Sequence, residues 1–123
     1  MSEPSTRWGL YQWYEEHGAE LIHPDDLETV RKLVPGNRVF RVAGEKAGFL
    51  YFRYGEIEFR GRPRLLERIK AQVREVGDTV TLTDGRSAQV MDVRWHFQRA
   101  EPMYQLRVEG KKRSKRYWNS DLK

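Results

Sequence analysis

The chain has 123 residues, room for one compact domain or two very small ones, and its lack of cysteine excludes disulfides, zinc–thiolate sites and thiol catalysis. No apolar run approaches the roughly 18 to 20 residues of a membrane span, and residues 1–8 lack the parts of a secretion signal, so we expect a cytosolic protein without membrane contact. The net charge of +5 is uneven, because residues 70–123 hold 12 Lys and Arg against 7 Asp and Glu, whereas residues 1–69 hold 11 of each.

The first half is predicted to begin with two short helices and to continue with strands. Apolar residues recur at helical spacing in residues 8–20, and residues 24–33 begin with a proline and two aspartates, which suit a first helical turn. A Pro-Gly-Asn sequence then ends the helical pattern, and the hydrophobic period changes to two. This change predicts strands at 38–42, 49–54 and 57–60, and a single helical turn within 64–69.

The second half is predicted to consist of strands alone, at residues 79–83, 88–97, 104–108 and 114–118. Asp84-Gly85 is a strong hairpin signal between the first two. Val90 is out of phase with the alternation that follows it, which predicts a bulge or strong bend. Trp95 alternates with other large apolar residues, Met91, Val93 and Phe97, and is therefore predicted to lie in the core.

The two halves repeat one order of predicted elements. Each has a strand that follows a turn, a long aromatic strand, a glycine-containing turn, an arginine-rich aromatic strand and a short polar turn with leucine. Short strands at this spacing, with 15 aromatic residues to build small cores, suit small barrels that remove their own sheet edges.

Five motifs stand out in the second half: Gly77-Asp78-x-Val80, Asp84-Gly85, Trp95, Gly110-Lys111-Lys112 and Tyr117-Trp118-x-Ser120-Asp121-Leu122. Together they resemble SH3-like barrels of the Tudor and KOW type. This resemblance implies that loops and an exposed face bind nucleic acid, a peptide or a protein partner.

A segment of the first half carries a second resemblance, on the residues His17-Gly18-Ala19-Glu20-Leu21-Ile22-His23-Pro24-Asp25-Asp26-Leu27. With the barrel-like half that follows, this HGxxLIHPDD segment resembles a family of small bacterial proteins of unknown function. No activity is implied by it.

The predicted fold is mainly β, with short N-terminal helices and two tandem SH3-like barrels. Residues 1–34 are predicted to form a helical segment packed on the first barrel, 35–70 the first barrel, and 73–123 the second, basic barrel. A single domain of five to eight strands is the alternative.

The histidines of the HGxxLIHPDD segment raise the possibility of a metal site or a small hydrolase. On one helix His17 and His23 would point about 240° apart, and in one strand they would lie about 20 Å apart. We therefore expect these imidazoles to serve in turns and caps, and we predict no cofactor, no metal site and no catalytic residues. Phosphate-binding and nucleophile-elbow motifs are likewise missing from the sequence.

The predicted binding residues lie in the basic half. Strand alternation directs some of them to one outer sheet face, and five of the six residues 111–116 are cationic. The predicted nucleic-acid-binding residues are Arg94, His96, Arg107, Lys111, Lys112, Arg113, Lys115, Arg116 and Tyr117.

These residues suggest a non-catalytic binding module rather than an enzyme. Cations neutralise phosphates, and Tyr117 or Trp118, where exposed, offers a stacking surface, so nucleic acid, RNA or DNA, is the first choice of partner. A protein adaptor that binds an acidic partner through the barrel loops is the alternative. A His-dependent hydrolase carries low weight, and the oligomeric state and the specific target do not follow from the sequence.

Overall fold

The computed structural model describes residues 7–123 and shows a mainly β protein. The chain divides into two compact units, Met1–Lys70 and Ala71–Lys123, and each unit contains one antiparallel sheet. No helix within the described residues combines the length and the apolar character needed to cross a membrane.

The first unit is a five-stranded sheet with a helical insertion. Its elements are β1 (Trp8–Tyr11), α1 (Leu27–Leu33), β2 (Val39–Lys46), β3 (Phe49–Tyr54), β4 (Ile57–Gly61) and β5 (Leu66–Ile69), and the strand order is β4-β3-β2-β1-β5. Single 3-10 turns lie at Glu15–His17, Ala19–Leu21 and Pro24–Asp26 before α1 and at Pro63–Leu65 before β5.

The helix predicted at residues 8–20 is wrong. Its first part is β1, which lies between β2 and β5, pairs with both, and completely buries Leu10 and Tyr11. Gly9 suits this crowded position, because a Cβ there would lie 2.6 Å from the Leu66 side chain. The remainder forms 3-10 turns, since tertiary pairing outweighs a helical pattern that glycines already weaken.

Other elements of the first unit follow the prediction more closely. The 24–33 helix is confirmed as a 3-10 turn continued by α1, and β3 has the predicted bounds. The first strand is longer than the predicted 38–42, because β2 continues to Lys46 through a bulge between Val42 and Gly44. The helical turn predicted within 64–69 is a 3-10 turn followed by β5.

Aromatic side chains form the core of the first unit. Tyr11, Phe40, Phe52 and Phe59 are all at most 2% exposed, and their ring centroids lie 4.6 to 6.0 Å apart. Tilted, edge-on and stacked ring pairs of this kind stabilise a core beyond the burial of their area. The predicted small aromatic core is therefore present in this unit.

The second unit is a four-stranded sheet in the order β6-β7-β8-β9. Its strands are β6 (Thr79–Thr81), β7 (Ser87–His96), β8 (Glu101–Val108) and β9 (Lys111–Lys112), and a 3-10 turn follows at Asn119–Asp121. Single bridges join Tyr117 to Tyr104 in β8 and Leu122 to Leu82 beside β6. Neither sheet closes into a barrel.

The predicted bulge in β7 is confirmed, because the register with β8 shifts between Val90 and Asp92. The prediction that Trp95 belongs to the core is wrong: Trp95 is partly exposed, and Phe97 beyond it is 53% exposed. The β7–β8 hairpin extends past the buried residues Val90 and Val93, so the alternating pattern continues where no core remains to cover it. The strand predicted at 114–118 is also wrong, since β9 ends at Lys112.

Candidate nucleic-acid interface

A tight hairpin brings three of the predicted cations together. Glu109 and Gly110 have φ values of 49° and 82°, and this two-residue turn of positive φ joins β8 directly to β9. The register then places Lys112 opposite Arg107 and Lys111 opposite Val108. Arg107, Lys111 and Lys112 are all exposed at this edge of the sheet.

The segment after β9 adds three more cations. The backbone N–H of Arg113 donates to the Leu106 carbonyl over 3.0 Å, which holds the segment against β8. Lys115 and Arg116 are exposed, and the Lys115 Nζ lies 5.0 Å from the centre of the Tyr117 ring. We call Arg107, Lys111, Lys112, Arg113, Lys115 and Arg116 the edge cations.

The edge cations differ from three other arginines of the second unit, which have acidic partners. Arg86, Arg94 and Arg99 each form an ion pair with a carboxylate two residues away, at 2.8, 2.9 and 3.0 Å. In the first of these pairs, the hydrogen bond from Arg86 holds the pKa of Asp84 below its usual range. Within residues 7–123, no ion pair joins a carboxylate to any of the six edge cations.

Two predicted site residues lie on the same sheet face as Arg107 but away from it. Arg94 is opposite Met103 and His96 is opposite Glu101, so they lie about 13 and 20 Å along the strand from Arg107. The His96 Nδ1 accepts the backbone N–H of Arg99 at 3.1 Å, and its ring meets Trp118 edge-on at 5.4 Å. These contacts engage His96 with the β7–β8 turn and with Trp118.

Neither predicted stacking residue offers a free ring next to the edge cations. Tyr117 is 5% exposed, because its backbone pairs with Tyr104 and its ring turns into the core. Trp118 is partly buried, and the Arg99 guanidinium lies 3.7 Å over its ring. The sequence did not determine whether the Tyr117 and Trp118 rings are buried. The structure excludes Tyr117 as a stacking surface, because its ring is buried.

Sequence reasoning missed the neutral residues beside Arg107. A shallow depression of about 340 Å³ is lined by Thr79, Ser87, Gln89, Arg107 and Glu109, together with Ala88 and Gly110. Uncharged side chains such as these give no signal of a site in the sequence. Cross-strand pairing is what brings them next to a cation.

The histidines of the HGxxLIHPDD segment serve in turns, as predicted. The His17 Nδ1 accepts the Tyr14 backbone N–H at 3.0 Å, and the His23 Nδ1 accepts that of Asp25 at 3.1 Å. Both residues therefore fix the loop that leads into α1.

The same segment also covers the outer edge of β4. Ile22 forms a bridge with Gly61, and the His23 N–H donates to the Arg60 carbonyl over 3.0 Å. Asp26 accepts from the Arg60 backbone N–H at 2.8 Å and from its guanidinium at 2.8 and 3.2 Å. These hydrogen bonds hold the pKa of the Asp26 carboxyl below its usual range. The contacts of the HGxxLIHPDD segment are therefore structural.

A second depression, of about 280 Å³, lies beside this ion pair in the first unit. Asp26, Tyr51, Glu58, Phe59 and Arg60 line it. Its arginine is engaged by Asp26, so the depression presents fewer free charged groups than the edge of β9.

Comparison with known proteins identifies the family. The chain belongs to a family of unknown function, DUF6960, whose sequence profile matches residues 1–123. No curated protein and no solved structure matches the chain.

Proposed function

We propose that the protein is a non-catalytic module that holds a nucleic-acid backbone through the edge cations. The observation that carries this proposal is the contrast in charge pairing. Three arginines of the second unit are neutralised by nearby carboxylates, whereas the six edge cations form no ion pair within residues 7–123. Unpaired cations concentrated at one edge attract a polyanion and release its counterions on binding.

The proposal includes two tandem SH3-like units in the cytosol. Support comes from the order of elements: in each unit four strands pair with their neighbours and a 3-10 turn follows them. The chain then returns to the first strand, as β5 pairs with β1 in the first unit and Leu122 bridges Leu82 in the second. This order is typical of small barrels that bind ligands on loops and open faces.

A protein partner with an acidic surface is the second candidate. It is favoured by Phe97, which is 53% exposed at the tip of the β7–β8 hairpin, beside the partly exposed Trp95. Exposed aromatic residues are enriched where proteins bind proteins.

The salt dependence of oligonucleotide binding tests the first candidate. Affinity of the parent protein should fall with salt, at a log-log slope of about −0.7 to −0.9 per phosphate neutralised. Lys111→Gln with Lys112→Gln should flatten that slope by about 1.4 to 1.8, since two phosphate contacts are lost. The measurement is fluorescence anisotropy of a labelled oligonucleotide between about 50 and 200 mM salt.

A matched control separates a local site from the effect of net charge. Lys32→Gln with Lys46→Gln removes two exposed lysines from the first unit and should leave the slope unchanged. Equal flattening by both double variants, or no binding by the parent, would contradict the proposal. A third contrary result is aggregation of the Lys111/Lys112 variant with unchanged oligonucleotide affinity, because lysines on a short edge strand also prevent edge-to-edge association.

A further inference from the structure

The outer face of the second sheet carries a row of exposed polar residues that continues inward from the edge cations. Register pairs Thr79 with Gln89, Gln89 with Arg107, and Arg107 with Lys112. All four side chains are exposed and share one face, because directly opposed residues of neighbouring strands point the same way. We call these four residues the outer row.

The chemistry of the outer row matches phosphate and sugar oxygens. Two cations lie at one end and an amide and a hydroxyl at the other, with the Ser87 hydroxyl in the same depression. Arg, Lys, Ser, Thr and Gln side chains are those that contact nucleic-acid backbones. The row crosses three strand spacings, about 14 Å, which corresponds to about four base-pair steps of a duplex at 3.4 Å each.

The outer row has no aromatic member. Proteins that bind single strands stack bases on aromatic rings placed along a cationic groove. Within the second unit, Tyr104 and Tyr117 are buried and the Trp118 ring is covered by Arg99. Trp95 is partly exposed but pairs with Pro102, five residues from Arg107, and therefore lies on the other face. Phe97 is exposed but lies in the turn beyond the end of β7, eight residues after Gln89 and away from the row.

Resting on the proposed function, we infer that the ligand of this face is duplex nucleic acid, held by its phosphate backbones along the outer row. The row supplies backbone contacts and no stacking surface, which favours a ligand whose bases are already paired. Recognition is then insensitive to base sequence, because phosphates carry no sequence information. The phosphates are common to DNA and RNA duplexes, so both are expected ligands.

The test compares duplex and single-stranded oligonucleotides of equal length and sequence, at one salt concentration, with the full chain. Duplex DNA should bind at least about fivefold more tightly than either of its strands, and duplex RNA within about threefold of duplex DNA. Gln89→Glu should weaken duplex binding about three- to tenfold, because a carboxylate then faces the phosphates. Gln98→Glu makes the same charge change in the exposed β7–β8 turn and should alter binding less than twofold.

A substitution that adds a positive charge tests whether misfolding explains the weaker binding of Gln89→Glu. Gln89→Lys should tighten duplex binding about threefold, a gain that a damaged protein would not show. A single strand bound as tightly as the duplex, or Gln89→Glu and Gln98→Glu equally weakened, would overturn the duplex inference while leaving the edge cations as a binding site. Absence of salt-dependent binding to every oligonucleotide would overturn the proposed function as well.

Discussion

At the scale of single residues, Asp26 joins the loop before α1 to the strand β4. Its carboxylate is 16% exposed and receives three hydrogen bonds from Arg60, one from the backbone and two from the guanidinium. Asp25 beside it is 77% exposed and approaches Arg60 only to 3.8 Å. Two adjacent aspartates therefore have different energetic roles.

We expect Asp26→Asn to lower the urea midpoint of unfolding by roughly 0.5 M at pH 7, because charged hydrogen bonds to Arg60 are lost. The pKa of Asp26 is depressed in the folded state, so its contribution is complete above the unfolded pKa of about 4 and is lost as the pH falls below it. The difference between parent and variant should therefore shrink towards pH 2.5. Urea titrations at pH 7 and pH 2.5 measure both values.

Asp25→Asn provides the matched control for this prediction. Its change of charge and volume is the same, but the Asp25 side chain is largely in water, so the midpoint should move by less than about 0.2 M. If the two variants lost equal stability, the assignment of the loop contact to Asp26 would be wrong.

Residue identity predicted chemistry better than it predicted depth of burial. The caps formed by His17 and His23 could be anticipated, because an imidazole near a turn has backbone donors within reach whatever the wider fold is. The exposure of Trp95 could not, since alternation reports which face a side chain takes and not whether another layer covers that face. The same lack of information applies to the neutral residues Thr79 and Gln89.

At the scale of elements, the Tyr104 hydroxyl joins three parts of the second unit. Tyr104 is fully buried in β8, donates to the Asn119 Oδ1 of the last 3-10 turn over 2.7 Å, and accepts the Arg74 backbone N–H at 3.0 Å. Burial raises its pKa to about 12, so the hydroxyl keeps its proton throughout the physiological range. One phenol thus holds both the segment that precedes β6 and the 3-10 turn that follows β9.

Tyr104→Phe is expected to destabilise the protein by about 1 to 2 kcal/mol, because the half-buried Arg74 backbone N–H and the Asn119 Oδ1 each lose a partner. The loss should be the same at pH 6 and pH 9, since the hydroxyl does not ionise between them. Chemical unfolding followed by fluorescence gives the free energies at both pH values.

Tyr117→Phe serves as the comparison, because Tyr117 forms a bridge with Tyr104. Tyr117 is also buried, but its hydroxyl forms no hydrogen bond with any residue that the structure describes, so the expected change is below about 0.5 kcal/mol. A larger loss from Tyr117→Phe than from Tyr104→Phe would contradict the role assigned to the Tyr104 hydroxyl, because both variants keep the ring and remove only the hydroxyl.

Short-range sequence patterns predicted the elements that depend only on residues close together in the chain. The β7 bulge and the turn after Asp84 follow from alternation and from turn residues, and both are present. The position of β1 between β2 and β5 depends on pairing with strands that are about 30 and 57 residues away in the sequence, and no window along the chain contains that information. At Tyr117, a single bridge to Tyr104 replaces the strand expected there.

At the scale of the whole molecule, the two units differ in charge. Ala71–Lys123 holds eleven Lys and Arg against seven Asp and Glu, a formal charge of +4, whereas Met1–Lys70 holds twelve against eleven, a charge of +1. Long-range attraction of a polyanion depends on such an excess. The second unit therefore supplies most of the attraction that the proposed function requires.

We accordingly expect a fragment of residues 71–123 to bind duplex DNA with nearly the salt slope of the full chain, while a fragment of residues 1–70 binds with a slope near zero. The second unit has its own buried core, including Val80, Val90, Tyr104 and Leu106, so it should fold alone. With only 53 residues its stability should be marginal, with a free energy of unfolding of no more than about 3 kcal/mol.

Near-ultraviolet circular dichroism should report ordered aromatic packing in the 71–123 fragment, and the midpoint of its urea transition should lie below that of the full chain. Binding by residues 1–70 with a slope equal to that of the full chain would contradict the assignment of the site to the second unit, and a disordered 71–123 fragment would contradict its independence.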